Sequence, residues 1–365
     1  MKNKTFSRAT LSQRLAAVSG GGLWRTLPAD SSLCLVEGRL AGCKVMLVAS
    51  KPGSFGVDEC ADLQWALQRG RATGVPLLLL IDSAGAQSGG EIQAQGSLCA
   101  LLREMLDARL AELPMLAVLG SQVPGAANML ASAAQQCIYS QHTLLAMPGP
   151  RRRPSAPQST LNRILAPCRA AINDAGRLTE DDLDAYANAV RDWLARPFAA
   201  SVTPDTLRQE RQHLSQRLPA AGTHALDGPV LEGDTLRCML GRPFGAADAI
   251  ALAELAESAC VTSRAKPLTI VVDSNGQDMS SPHDEDPDLA QYLIHMALSL
   301  RRLARAGRQL RLTVKNGIAA SLYMALGAAA PTVEIAPGAV ICTSSSASAL
   351  FGSPAEARNG LGAVM

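Results

Sequence analysis

The chemistry this chain can do is most readily built from backbone groups. Asp82-Ser83-Ala84-Gly85 closes one apolar run and Asp273-Ser274-Asn275-Gly276 closes another. Farther along stand Gly120-Ser121-Gln122-Val123-Pro124-Gly125-Ala126 and Asn316-Gly317-Ile318-Ala319-Ala320-Ser321. A strand ending in such small residues, beside a helix beginning with them, presents bare backbone N–H groups in a cleft. The helix N-terminus adds partial positive charge. Two donors aimed at one carbonyl oxygen make an oxyanion hole, each worth roughly 3 kcal/mol to a developing negative charge. The same residues also permit tight helix–strand packing, and one turn alone does not separate the two uses. Four turns in matched places favour the chemical one.

Side-chain chemistry is poorly supported by comparison. No G-x-x-x-x-G-K-[ST] loop is present, no G-x-G-x-x-G follows a strand, and no G-x-S-x-G elbow occurs. The histidines at 142, 213, 224, 283 and 295 are scattered. His283 reads as a solvated loop residue. His295 lies beside Met296 on an amphipathic segment and reads as structural, with proton donation as its alternative. Tyr323 follows the Ala319-Ala320 turn; it is either a proton donor to a cleft or a core side chain. The nine cysteines (34, 43, 60, 99, 137, 168, 238, 260, 342) form no C-x-x-C or Cys/His cluster. Neither a zinc ribbon nor a disulfide framework is supported, and reduced, buried thiols in a cytoplasmic protein are expected. No metal site is expected.

The elements that must position the turns recur as an internal repeat. Phe55-Gly56 and Phe244-Gly245 each open a helix, an apolar strand follows, and Asp-Ser-x-Gly ends it. Gly56 stands 26 residues before Asp82, and Gly245 stands 28 before Asp273. Next come two helices with apolar faces at helical spacing, Leu98, Leu101, Leu102, Met105 and Leu106, then Leu289, Tyr292, Leu293, Met296 and Leu300. Strands follow at Met115–Leu119 and Leu310–Val314, then Ala-rich helices, then closing strands near Ile138–Met147 and Thr332–Cys342. Alternating strands and helices predict parallel pairing through right-handed crossovers. The polar stretch from Arg151 to Gly222 predicts helices, one opened by Thr179. Residues 1–150 and 223–365 are thus expected as two α/β domains, with 151–222 a helical linker. The first forty residues offer one amphipathic helix and then two strands joined at Ala41-Gly42.

Composition narrows the function classes. The chain has 365 residues, 47% apolar and only 3% aromatic, with formal net charge +2. That charge disfavours nucleic acid, whose binding is chiefly phosphate neutralisation. No apolar run approaches the roughly 18 residues of a membrane span. The N-terminal stretch lacks the continuous apolar core of a secretory signal. A cytoplasmic protein without nucleic-acid or membrane partners is expected. Arg151-Arg152-Arg153 is a local exception, suited either to a phosphate or acidic partner or to a solvated loop.

At its small-residue turns the sequence resembles the carboxyltransferase branch of the crotonase-like superfamily. Asp82-Ser83-Ala84-Gly85-Ala86-Gln87 is similar to that family's Asp-Ser-Gly-Gly-Ala-Arg strand end. Gly120 to Ala126 is similar to its Gly-Pro-x-x-Gly-Gly-Ala turn, and Asp273 to Gly276 to its Asp-Thr-Pro-Gly turn. Within the branch, the nearer resemblance is to biotin-independent malonate decarboxylase, with β and γ subunits joined in one chain. LSQRLAAVSGGGLWRTL and VEGRLAGCKVMLVAS resemble the β subunit; RPFGAADAIALAELAES, KPLTIVVDSNGQ and VEIAPGAVICT resemble the γ subunit. The likeness covers about two thirds of the chain.

The resemblance implies two crotonase-like domains in tandem, each a spiral of ββα repeats. It implies loss of CO2 from a malonyl thioester on an acyl carrier protein, giving the acetyl thioester. Negative charge then collects on the thioester oxygen as an enolate, which backbone donors stabilise. Carried over by position, Ala84, Gly85, Gly125 and Ala126 form one hole and Gly276, Ala319 and Ala320 a second. Tyr323, His295 or water returns the proton. Ser83, Gln87, Ser88, Arg151 and Arg152 are expected to bind substrate. No cofactor is expected beyond the phosphopantetheine-type arm brought by the carrier or by CoA. A homodimer or assembly with other decarboxylase subunits is expected. Departures are Pro124, which has no N–H, and Gln87 where the family has Arg. A biotin-dependent acyl-CoA carboxyltransferase subunit and a non-catalytic carrier-binding subunit are the alternatives.

Overall fold

The computed structural model describes residues 5–20, 22–50, 53–86, 91–147, 165–170, 175–198, 201–218, 228–262, 266–275 and 288–342. The chain forms two compact units, Met1–Gln87 with Ala108–Ser201, and Ser88–Asp107 with Val202–Met365.

In the first part of the chain, a single 3-10 turn at Phe6–Arg8 precedes α1 (Leu11–Ser19), β1 (Trp24–Thr26), β2 (Cys34–Leu40) and β3 (Cys43–Ala49). Next come β4 (Gly53–Phe55), α2 (Val57–Thr73), β5 (Leu77–Ile81), β6 (Ser83–Ala86) and α3 (Glu91–Leu110). The run continues with β7 (Met115–Leu119), β8 (Gln122–Pro124), α4 (Ala126–Ala133), β9 (Gln136–Ser140) and β10 (Leu144–Ala146). It ends with α5 (Ala166–Ala170), β11 (Gly176–Thr179) and α6 (Leu183–Leu194).

The main sheet of the first unit runs β1-β2-β3-β5-β7-β9-β11. β1, β2 and β3 form an antiparallel meander, and from β3 onwards every pairing is parallel. β5 and β7 are buried at every residue, as a central parallel strand covered on both faces must be. On one face Leu78, Leu80, Leu116 and Val118 pack with Phe6 and Val18 and with Tyr186, Val190 and Trp193 of α6. Outside the main sheet, β4 pairs with β6 and β8 with β10, both parallel.

Two local differences from the sequence reading have clear causes. The closing strand expected at Ile138–Met147 is divided into β9 and β10 by a turn at residues 141–143. There the Thr143 hydroxyl accepts from Ser140 N–H (3.2 Å) and donates to the Gly120 carbonyl (2.9 Å). Thr179 does not open a helix: it ends β11, opposite Ser140. Asp182 is the cap of α6 instead, its carboxylate accepting from the N–H groups of Asp184 and Ala185.

The second unit holds α7 (Pro204–Gln216), β12 (Val230–Glu232), β13 (Thr235–Pro243), α8 (Ala246–Thr262) and β14 (Leu268–Asn275). It continues with α9 (Leu289–Arg305), β15 (Leu310–Val314), β16 (Gly317–Ala319), α10 (Ala320–Ala329), β17 (Thr332–Ile335) and β18 (Val340–Cys342). Its sheet runs β12-β13-β14-β15-β17, antiparallel only at the first pair, and β16 pairs parallel with β18.

Nearly all of α3 belongs to this second unit. Arg103 of α3 donates to the carbonyls of Gly327, Ala328 and Ala330 at 2.7, 3.1 and 3.0 Å. Those are the acceptors that the C-terminal end of α10 leaves without intrahelical partners. Asp107 takes a two-pronged bond from Arg301 of α9 (2.8 and 2.7 Å). The expected apolar faces of α3 and α9 are buried throughout.

The Phe-Gly pairs work by one device in both units. Gly56 N–H donates to the Glu59 carboxylate (3.0 Å), and Gly245 N–H donates to that of Asp248 (2.9 Å). In each case an acid three residues into the helix reaches back to its opening N–H. Phe55 and Phe244 are both buried. Among the described residues, no helix is long and apolar enough to cross a membrane, and no group of three or more His, Cys, Asp or Glu could hold a metal ion.

Burial pushes the thiols of Cys99 and Cys238 up to about 12. A thiolate-selective reagent at pH 8 is therefore expected to leave both unmodified in the native protein while reaching half-buried Cys43. Peptide mass mapping before and after denaturation checks this; rapid native labelling of Cys99 would contradict the packing of α3.

Candidate functional site

The site in the first unit is built where β5 ends. Its last residue, Ile81, is followed by Asp82 and then β6, which lies beside β8 and α4. Ala84 and Gly85 are residues of β6, and Gly85 is held in register opposite Ser54 of β4. Ser83, the first residue of β6, is buried at 2% exposure. Gly125 is the N-cap of α4, at φ 56° and ψ −122°, a conformation that strains any residue with a side chain.

The ladder between β8 and β10 decides which N–H groups remain as donors. Leu144 N–H donates to the Ser121 carbonyl (3.0 Å), and Gly125 N–H donates to the Ala146 carbonyl (2.8 Å). Gly125, expected to furnish an oxyanion donor, therefore spends its N–H on the ladder. Pro124 has none to give. The first donor beyond the ladder is the N–H of Ala126, at the start of a helix where the first turn has no intrahelical acceptors. Ala126 is half-buried.

The second unit repeats this arrangement one residue later than the sequence alignment of the turns suggests. Val340 N–H donates to the Asn316 carbonyl (2.9 Å), as Leu144 does to Ser121. Asn316 thus corresponds to Ser121, Ala320 to Gly125, and Ser321 to Ala126. Ala319 is paired with Cys342, as Pro124 is with Ala146, which sets Ala320 in the place of Gly125. Ala319 is buried at 5%, while Ala320 and Ser321 are half-buried. The counterpart of Ala126 is Ser321, which sequence reasoning passed over; register, visible only in the fold, identifies it.

The proposed proton donors are core residues. Tyr323 is 0% exposed, and burial pushes its phenol well above the usual tyrosine range, so it holds its proton tightly. Of the two readings its position allowed, this burial agrees with the core side chain. His295 is 1% exposed, with Nδ1 3.3 Å from the Glu210 carboxylate. Gly276, Gln87, Ser88, Arg151 and Arg152 lie outside the described residues.

One group the sequence reading missed is the buried pair of Arg14 and Asp82. Arg14, on α1, and Asp82, the residue after β5, are each 6% exposed. The guanidinium donates to Asp82 Oδ2 (2.5 Å) and to the carbonyls of Phe6 and Ser7 (2.9 Å each). Asp82 N–H donates to Ser50 Oγ (3.0 Å). A signal for it exists: Arg14 interrupts the apolar stripe of Leu11, Leu15 and Val18, and a charge there needs a buried partner.

Fold and site together define a mixed α/β protein on parallel sheets, with helix N-termini set behind two-stranded ladders. No family model and no curated protein matches the chain. Among solved structures, it is similar to the Pseudomonas malonate decarboxylase hetero-dimer at 21% identity and TM-score 0.49, over 58% of this chain and 97% of that one. A Pseudomonas malonate decarboxylase hetero-tetramer in complex with malonate gives 19% and 0.49, over 61% and 94%. The β subunit of P. aeruginosa geranyl-CoA carboxylase gives 14% and 0.46, over 93% and 74%.

Removing one partner of the Arg14–Asp82 pair leaves a buried charge. Asp82→Ala is expected to destabilise the protein by about 3–5 kcal/mol, and Gly125→Ala by about 1–3 kcal/mol through its backbone conformation. Urea unfolding monitored by circular dichroism measures both.

Proposed function

We propose that the chain is a biotin-independent decarboxylase acting on a malonyl thioester carried by an acyl carrier protein. The observation that carries this reading is the duplicated turn. In each unit a helix begins directly behind a parallel ladder, and the matched residues Ala126 and Ser321 stand in its first turn at partly open positions. The strand-end motifs at Asp82 and Asp273 accompany it in both units. This supports two crotonase-like domains in tandem, similar to the joined β and γ subunits of the decarboxylase.

The reaction breaks the bond between the malonyl carboxylate carbon and the α-carbon. CO2 leaves, and the electron pair passes into the thioester as an enolate with its charge on oxygen. The Ala126 N–H, with those of Ala84 and Gly85 on β6, would stabilise that oxygen. A proton from water then adds to the α-carbon, giving the acetyl thioester; this leaves Tyr323 to its place in the core. The thioester arm comes from the carrier, with no further cofactor, in a cytoplasmic enzyme that assembles with other decarboxylase subunits or with itself. Ser83, Gln87, Ser88, Arg151 and Arg152 would line the approach of substrate.

A second reading, a carrier-binding subunit without turnover, is favoured by the engagement of the Gly125 N–H in the ladder. Intact-mass analysis of malonyl-carrier incubated with the protein separates the two. Loss of one CO2 without biotin is the expected result, and carrier binding with no mass change would overturn decarboxylation. Turnover only with added biotinyl protein would indicate a carboxyltransferase. Ala126→Pro removes the donor at a helix position that accepts proline, and is expected to slow turnover by about 10²–10³-fold.

A further inference from the structure

The strand-end aspartate performs the same mechanical task in both units, although nothing in the oxyanion chemistry requires an acid there. In the first unit, the Asp82 carboxylate lies against the turn that opens β8. A Cβ added to Gly120 would come within 2.3 Å of Asp82 Cγ and 2.6 Å of Oδ2, so only glycine fits beside it. Asp82 Oδ1 also faces the Ser121 hydroxyl (3.5 Å) and the Gln122 N–H (3.4 Å). These contacts are long, and packing against Gly120 is the stronger constraint.

In the second unit, Asp273 holds the corresponding position at the end of β14. Its Oδ2 accepts from Asn316 Nδ2 at 2.6 Å. Asn316 is the structural counterpart of Ser121, as the ladder bonds show. The residue types differ (a buried, arginine-paired acid beside glycine and serine, against a half-buried acid beside an exposed asparagine), yet the juxtaposition is the same. A pairing reached by different side chains in the two halves of a repeat reflects a requirement of position.

We propose that Asp82 and Asp273 are positioning residues, each bracing the strand-end turn of its unit against the turn that leads into the next short strand and helix. In the first unit the brace sets β6 relative to β8 and so to the Ala126 N–H. In the second it sets the end of β14 relative to β16 and the Ser321 N–H. Arg14 and Ser50 in turn hold Asp82 itself. The consequence for turnover rests on the decarboxylase reading, whereas the mechanical role does not.

Amide hydrogen exchange on the full chain tests the brace independently of activity. Asp273→Ala, at a partly exposed pair, is expected to raise exchange at Gly317 to Ser321 by about tenfold. Amides of β13 and α8 should stay unchanged. Asp82→Asn should do the same at Gln122 to Ala126 and leave the β2–β3 hairpin protected. If Asp82→Asn lowers stability throughout, Gly120→Ala and the Asp82→Ala/Gly120→Ala double variant decide instead: the second change should cost less in the presence of the first. Unchanged exchange at both turns, or additive effects, would overturn the proposal. With malonyl-carrier, Asp273→Ala should lower kcat with KM unchanged. A wild-type protein without turnover would refute the decarboxylase reading while the exchange result still stands or falls alone.

Discussion

The first unit depends on a single buried charge pair. Arg14 and Asp82 are both removed from water, and neither could remain so without the other. Through this pair α1 is tied to the end of β5, and the 3-10 turn at Phe6–Arg8 is tied to Arg14 by its carbonyls. Phe6 then stacks on Tyr186 of α6, with ring centroids 3.7 Å apart, and Ser7 bonds Asp181. One ion pair thus links the N-terminal segment, the middle of the sheet and a helix from far along the chain. Because Asp82 is also the residue from which β6 departs, that linkage reaches the candidate site.

Among the described residues, the second unit shows no such buried pair at the same place, and other contacts hold it. Arg103 satisfies the carbonyls at the end of α10, and Asp107 receives the guanidinium of Arg301. Gly327 allows α3 to come close: a Cβ there would lie 3.1 Å from the Cys99 sulfur. Small residues in α10 therefore serve close packing in addition to whatever backbone chemistry its first turn supplies. Close packing, one of the two uses that the sequence left open for Ala and Gly, is thus present at the C-terminal end of that helix.

Much of the architecture was legible because it follows from local periodicity. The strands Met115–Leu119 and Leu310–Val314 agree residue for residue, and the apolar faces of α3 and α9 are buried as expected. The Phe-Gly helix openings were visible as a repeat, and the structure supplies their mechanism in Glu59 and Asp248. Capping was harder to read: Thr179 and Asp182 both have the chemistry of a cap, and pairing of Thr179 with Ser140 removed it from the helix. The thiols lack any metal-binding spacing, and those of Cys99 and Cys238 are indeed interior.

The amino-acid order by itself determined the elements, the duplication and the small-residue turns, since each is a property of neighbours within a few residues. Only the tertiary structure decided which amides are available in those turns. A ladder bond takes the Gly125 N–H and leaves that of Ala126, and register moves the counterpart in the second unit to Ser321. Tertiary packing likewise buried Tyr323 and gave Arg14 its partner 68 residues away. Hydrogen-bond register and the cost of burying charge depend on residues distant in the chain, and local pattern carries no record of either.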